Sequence, residues 1–331
     1  MDMRCKKDVE WVSYDGQRYW YSMFGQYESL EITKSGRGHH DLGDDLVAVL
    51  RRIRPPKLGC FLGFDSEGEG RFFDVQDAHT LVSGMTRYGK TTWINTAIAS
   101  LGHFHHPEYL KLCVLEGKAG SLQRWEKVID YTPCDVEKIT NKIVQLGRIL
   151  SKRKKKIEQG GGLSCVKEVN AWAYRSRKKK AVWPFVVVFF DEFQFYINSL
   201  KDRKKFGEEG VERELGEEHP ISILHNLAAQ GAGLGILLVF STQCPYAECI
   251  KGPIKANFGR KISFKLSESP HEKIALGARD GSNLVPMNLE RGELIAKFGS
   301  TRKKYRGANV ASSAIAEIVK RWKAGGFDFS L

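Results

Sequence analysis

The chain has 331 residues, 42% of them apolar, and carries a net charge of +13 with a pI near 9.3. That length allows one large domain or two smaller ones with an ample core, no run of about 18 apolar residues is present to span a bilayer, and Met1-Asp2-Met3-Arg4-Cys5-Lys6-Lys7 lacks the apolar stretch of a secretory signal. A soluble, cytoplasmic protein is therefore expected, and seven widely spaced cysteines without a C-x-x-C pair argue for reduced structural thiols rather than a disulfide frame or a zinc site.

Residues 1–57 read as a small β-rich element with a linker helix. Runs at 10–14, 17–21 and 29–33 are aromatic or β-branched and are broken by Asp15-Gly16 and Gly25, the pattern of short antiparallel strands. A helical stretch at 44–52 then meets Pro55-Pro56. Over residues 58–331, strand-like runs at 79–83, 110–115, 185–190, 235–241, 261–266 and 293–298 alternate with helical stretches. That alternation predicts an α/β domain whose mainly parallel central sheet is covered on both faces.

The first of these runs leads into Gly84-Met85-Thr86-Arg87-Tyr88-Gly89-Lys90-Thr91, which fits G-x-x-x-x-G-K-[ST] at every fixed position, and a helical run at 92–101 follows. Strand, glycine loop and helix form the setting in which backbone N–H groups and the helix's positive end cradle a nucleoside triphosphate. Residues Gly84 to Thr92 are the expected ATP contacts, with Lys90 reaching the β/γ-phosphates and the Thr91 hydroxyl holding Mg²⁺. After this helix, His103, His105, His106 and Glu108 read as a solvated loop in preference to a metal site. The helix at 135–157 aligns Ile139, Ile143, Leu146 and Leu150 on one stripe and ends in a lysine run.

The apolar run 185–190 ends in Asp191-Glu192, as a buried central strand does when it delivers carboxylates to the sheet's C-terminal edge. Asp191 is expected in the Mg²⁺ shell, and Glu192 as the general base that polarises the attacking water. The charged, glycine-containing segment 199–220 reads as an exposed excursion. Basic residues cluster at 51–57, 152–156, 175–180 and 302–306, and together with the net charge they point to nucleic acid as a partner.

The order of these motifs resembles the FtsK/SpoIIIE DNA translocases of the HerA/FtsK superfamily. Thr80-Leu81-Val82-Ser83-Gly84 through Lys90-Thr91 and on to Leu101 looks like the family's phosphate loop and first helix. Leu115-Glu116-Gly117-Lys118-Ala119-Gly120-Ser121-Leu122 resembles its D-P-K-G segment, with Glu116 and Gly117 in place of Asp and Pro. Val188-Phe189-Phe190-Asp191-Glu192-Phe193 matches the acidic strand. Ser241-Thr242-Gln243-Cys244-Pro245, then Ile254-Lys255-Ala256-Asn257 and Ile262-Ser263-Phe264-Lys265-Leu266, resemble the block A-T-Q-R-P … I-K-A-N … R-I-A-F.

The resemblance implies a RecA-like P-loop NTPase using ATP and Mg²⁺, and a homo-oligomer, a hexameric ring, that threads double-stranded DNA through its pore. It implies that Gln243 senses the γ-phosphate. Lys261 stands where the family has the arginine that reaches a neighbouring subunit's nucleotide, with Arg260 one position earlier. Lysine lacks the planar bidentate contact, so either Arg260 takes the role or the trans contact differs, and Arg87 is a further candidate. Lys273, at a basic position of the family pattern, and Arg279, in a glycine-bounded turn, are the implied DNA contacts. The chain stops after a helical run at 314–322, without a winged-helix module or membrane helices, which fits a motor borne by a plasmid, conjugative element or phage. Such a motor moves DNA during transfer, replication or packaging and is recruited by a membrane or relaxosome-type partner. The alternatives are a protein-export ATPase of the same superfamily and a non-motor, nucleotide-dependent DNA-binding module.

Overall fold

A computed structural model describes residues 9–14, 17–22 and 58–324, apart from 206–218, 244–255 and positions 106, 108, 119, 121, 128, 161, 179, 180, 279, 280 and 311. Near the N-terminus, β1 (Val9–Tyr14) and β2 (Gln17–Ser22) pair antiparallel with Trp11 opposite Trp20. The expected strand at 29–33 and helix at 44–52 lie outside the described residues.

The main sheet has ten strands in the order β4-β3-β12-β11-β10-β5-β9-β8-β6-β7. Six of them run parallel: β10 (Arg260–Ser263), β5 (Thr80–Ser83), β9 (Ile236–Thr242), β8 (Phe185–Asp191), β6 (Leu110–Glu116) and β7 (Asp130–Thr132). From β10 the sheet continues antiparallel through β11 (Glu293–Phe298), β12 (Thr301–Arg306), β3 (Gly59–Phe64) and β4 (Gly70–Asp74). Of these, β3, β4, β7 and β12 are not among the expected strands. Strand β12 is mostly solvent-facing and rich in lysine and arginine, so it carries no apolar run to announce it.

Alternate residues along the central strands enter two cores, as a pleated strand requires. Phe185, Val187 and Phe189 pack on one face with α1 (Lys90–Phe104), α7 (Ser312–Ala324) and β3, while Val186, Val188 and Phe190 pack on the other. That second face is covered by α2 (Val136–Gln159), α4 (Phe193–Lys205) and α5 (Pro220–Gln230). The stripe Ile139, Ile143, Leu146 and Leu150 forms the buried side of α2, and Asp135 caps that helix by accepting from Lys138 N at 2.9 Å.

Three expectations need correction. His103 is not in a solvated loop but buried in α1, and burial pushes the His105 imidazole down to about 3. The segment from 199 continues as helix α4 to Lys205. In the basic run at 302–306, Arg302 is buried and paired with Glu272 at 2.5 Å, and Lys304 pairs with Glu293 at 2.8 Å; much of that charge is spent inside the chain.

Candidate functional site

Strand β9 lies between β5 and β8, so its last residues are wedged between the phosphate loop and the acidic pair. All three strands end at one edge of the sheet, which is where parallel α/β folds gather their sites. Gly84 and Gly89 take φ of +149° and +119°, and a Cβ on Gly84 would stand 2.6 Å from the Phe264 side chain. Glycine is thus required at both for the loop to turn inside this wall. The loop is tethered by Gly84 N to Thr242 O (3.2 Å), Met85 N to Lys265 O (2.7 Å) and Gly292 N to Tyr88 O (3.1 Å).

Helix α1 starts directly from Gly89 with no side-chain cap, and its first backbone bond runs from Trp93 N to Gly89 O. The amides of Lys90, Thr91 and Thr92 therefore lack the helical partners that interior residues have. Lys90 is buried, 4% exposed, and its Nζ lies 2.7 Å from Gly84 O and 3.3 Å from Glu192 Oε1. A buried ammonium beside uncapped amides is a donor set suited to the phosphates of a nucleotide.

Opposite it, Glu192 occupies a left-handed backbone conformation at φ 51°, a position that costs free energy for a non-glycine residue and is typical of functional turns. The turn sends its carboxylate back towards the loop, where Oε2 accepts from Gln243 N at 3.1 Å. Gln243 Oε1 in turn accepts from Thr86 Oγ1 at 2.8 Å. Burial, reinforced by the neighbouring Glu192 charge, pushes Asp191 up to about 6, against the opposing effects of the Ser241 hydrogen bond and of Lys90. A carboxylate desolvated beside a second carboxylate fits a divalent cation, which would relieve both effects. Asp191, and Thr91 in the first turn of α1, are the residues that could hold Mg²⁺ beside a bound nucleotide.

Two site residues have no role readable from sequence alone. The Ser241 hydroxyl donates to Asp191 Oδ1 and accepts from Glu192 N at 3.1 Å, so one side chain orients both acids. It sits within the resembling Ser-Thr-Gln stretch, two residues before Gln243. Gly117 donates to Asp191 O at 2.8 Å, and a Cβ there would stand 2.4 Å from Glu192 O. Its signal is the departure from the family's proline, a residue with neither the N–H nor the room.

The other candidates fall elsewhere. Arg87, at φ 69°, is exposed in the phosphate loop. Arg260 starts β10 at the opposite edge of the sheet, buried between Phe73 and Phe298, donating to Asp74 O and to Asp77 Oδ2 at 2.6 Å. Its guanidinium is thus engaged by Asp74 and Asp77 of the same chain. Lys261 borders an open cavity of about 490 Å³ with Gly277 and Lys297. Lys273 is exposed on α6 (Ser269–Ala275), and Arg279 lies outside the described residues. Among the described residues no helix is long and apolar enough to cross a membrane.

The chain is similar to the DNA translocase FtsK of Borreliella burgdorferi, 25% identical over 229 residues that cover 68% of this chain and 27% of that protein. It is 26% identical to FtsK of Leptospira interrogans over 316 residues, 91% of this chain and 31% of that one, so it spans about a third of these relatives or less. Among solved structures, the cytoplasmic domain of the Thermomonospora curvata Type VII secretion ATPase EccC shares the fold with a TM-score of 0.65 at 16% identity, covering 85% of this chain and 33% of that one. The pCW3 conjugation coupling protein TcpA, with ATPγS, does so at 0.60 and 17%, covering 82% and 72%. These likenesses establish a P-loop NTPase fold. The sequence model of the FtsK/SpoIIIE family matches residues 47–269, well over half of the length, and the chain belongs to that family.

Proposed function

We propose that this protein is an ATP-driven DNA translocase working as a ring, a hexamer, in which hydrolysis at the site of Lys90, Asp191 and Glu192 moves duplex DNA. The observation that supports this most is the convergence of the buried Lys90 ammonium on Glu192 at 3.3 Å beneath an uncapped helix start. Lys90 binds the β/γ-phosphates and, in shifting towards them, releases the Glu192 carboxylate to accept a proton from water. Thr91 and Asp191 would hold Mg²⁺, which when bound would neutralise charge on the phosphates. Ser241 keeps Asp191 oriented, and Gln243, bonded to both Glu192 and Thr86, reports the γ-phosphate position from β9.

Of Arg260 and Lys261 we favour Lys261, which borders a cavity, for the trans contact, with Arg87 a further candidate. Lys273 and Arg279 serve as backbone-phosphate contacts, which need charge but little sequence preference. We take residues 1–57 as a separate element beside the motor, and a cytoplasmic, mobile-element setting as the context; the fold shared with a conjugation coupling protein is compatible with it. A protein-export ATPase is the second reading, favoured by the fold shared with EccC.

Steady-state ATP hydrolysis by the wild type and Glu192→Gln, with duplex DNA, single strands or none, tests the proposal. Many-fold stimulation by duplex that Glu192→Gln abolishes supports it. Hydrolysis indifferent to DNA sinks it in favour of the export reading.

A further inference from the structure

We propose a second nucleic-acid contact surface at the N-terminal edge of the sheet, where two basic runs distant in sequence meet on a tryptophan-bearing scaffold. The inference rests on the DNA-motor reading and adds a contact remote from the nucleotide. The scaffold is a fixed corner between helices. Arg153 of α2, itself buried, donates to Leu234 O and Pro184 O at 2.7 Å each and lies over the Trp183 ring at 5.6 Å. Trp183 is bonded through its backbone, in both directions, to the Asn170 side chain of α3 (Val166–Arg175), at 2.7 and 2.9 Å.

On this corner the unspent cations gather. Lys156 lies over Trp183 at 5.9 Å, and Lys152 sits one helical turn earlier on the same stripe. From the end of α3 come Arg175, Arg177 and Lys178, the last lying 5.0 Å from the ring of Trp172, which is 39% exposed. All five cations are exposed, and among the described residues none forms an ion pair with a carboxylate. This contrasts with Arg302, Lys304 and Arg260, whose charge is matched within the chain.

Backbone geometry adds an independent sign. Helix α3 ends with Lys178 N bonded to Ala173 O at 2.8 Å and Arg177 at φ 55°. That is a left-handed helix-ending position where glycine is the favoured residue. Here the position keeps a cation at a cost to the fold.

The occupant suited to such a surface is a chain of phosphates. The cations are spread over two helix ends around partly covered indoles, and dispersed lysines and arginines match the regular charge of a nucleic-acid backbone. Because Pro184 precedes β8 and Asp191 ends it, the surface stands about 20 Å of strand from the acidic pair. Nucleic acid bound here is therefore held or guided without touching the nucleotide.

The test is anisotropy of labelled duplex and of single strand, titrated with the full chain and an ATP analogue over a salt series. Combined Lys152→Gln, Lys156→Gln, Arg175→Gln and Lys178→Gln should weaken binding at moderate salt at least about tenfold, with the log–log salt slope shallower by about 0.9 for each duplex phosphate no longer neutralised. Hydrolysis without DNA should stay unchanged. Arg177→Gly alone should raise the melting temperature while weakening binding, a pairing that folding damage does not produce. Weaker binding to duplex, to single strand or to both supports the surface and identifies the strand form it takes. Unchanged affinity and slope in the variants overturn the surface and leave the motor intact. A wild type that binds neither nucleic acid overturns both readings. Loss of binding to anionic phosphatidylserine vesicles with DNA affinity intact reassigns the patch to a membrane and overturns the proposal.

Discussion

The two edges of the parallel sheet use buried charge in opposite ways. At the N-terminal edge, Arg153 and Arg260 are buried but settled: their guanidinium groups donate to backbone carbonyls, with Asp77 an additional partner of Arg260, and lie against aromatic rings. At the C-terminal edge, Lys90 shares its ammonium between a carbonyl and Glu192, Asp191 is pushed up to about 6, Glu192 sits at φ 51°, and Gly117 leaves no room for a Cβ. The difference teaches where a ligand is expected. Groups whose demands are met inside the chain hold the fold, and groups left in strained or repulsive surroundings are arranged for something that relieves them.

Breaking the active edge should have the largest effect. Glu192→Gln removes the proposed base but keeps the shape and the acceptor for Gln243 N. Hydrolysis should fall by about 10²–10⁴-fold, the range typical of general-base loss, while fluorescent-nucleotide affinity stays near wild type. An equal fall in affinity would instead mark Glu192 as a structural partner of Lys90.

Asp191→Asn sharpens the comparison through pH. Because its folded-state value is raised from 3.8 to about 6, wild-type Asp191 is most favourable to folding below its unfolded value, and that contribution is lost as pH rises through about 6. Asparagine does not titrate, so without nucleotide and metal it should be more stable by about 3 kcal/mol at pH 7.5 and by about half that at pH 5. Urea melts at the two pH values check this, and a gap independent of pH would refute the placement of a desolvated carboxylate here. The same variant should lose Mg²⁺-dependent hydrolysis.

Gly117→Ala brings the two kinds of behaviour together. The added methyl meets Glu192 O and Asp191 O, so stability should drop by about 1–3 kcal/mol, the usual cost of overpacking, and hydrolysis should fall as the acid pair is displaced. A smaller effect is expected at the quiet edge. Arg260→Met keeps the aromatic packing but cannot bond to Asp77 or Asp74, and should cost about 1–2 kcal/mol, since Asp77 is largely exposed. Its hydrolysis per folded subunit should remain unchanged; a collapse confined to the assembled form would restore Arg260 as a trans contact.

Much of this is legible in the sequence because its signals are local. The phosphate loop, the apolar strand ending in Asp191-Glu192 and the stripe of α2 each lie in one continuous stretch, and the structure brings Lys90, Glu192, Asp191, Thr86 and Gln243 into one connected network. What escapes a reading of the sequence depends on distant partners. Ser241 orients residues some fifty positions away, and Gly117 is defined by the carbonyls it approaches, not by its neighbours in the chain. Arg260 and Arg302 read as available cations because nothing near them in sequence announces Asp77 or Glu272. Strands β3 and β4 are hidden for another reason: they are short and glycine-flanked, and β3 is buried nearly throughout without an alternating pattern.

The most direct test of a DNA motor is ATP-driven displacement of a third strand annealed to duplex DNA, comparing wild type with Glu192→Gln. Displacement that requires ATP, works with the wild type and fails with the variant is the predicted result. Active hydrolysis by the wild type with the third strand left in place would contradict translocation, and would leave this fold as an ATPase with other work.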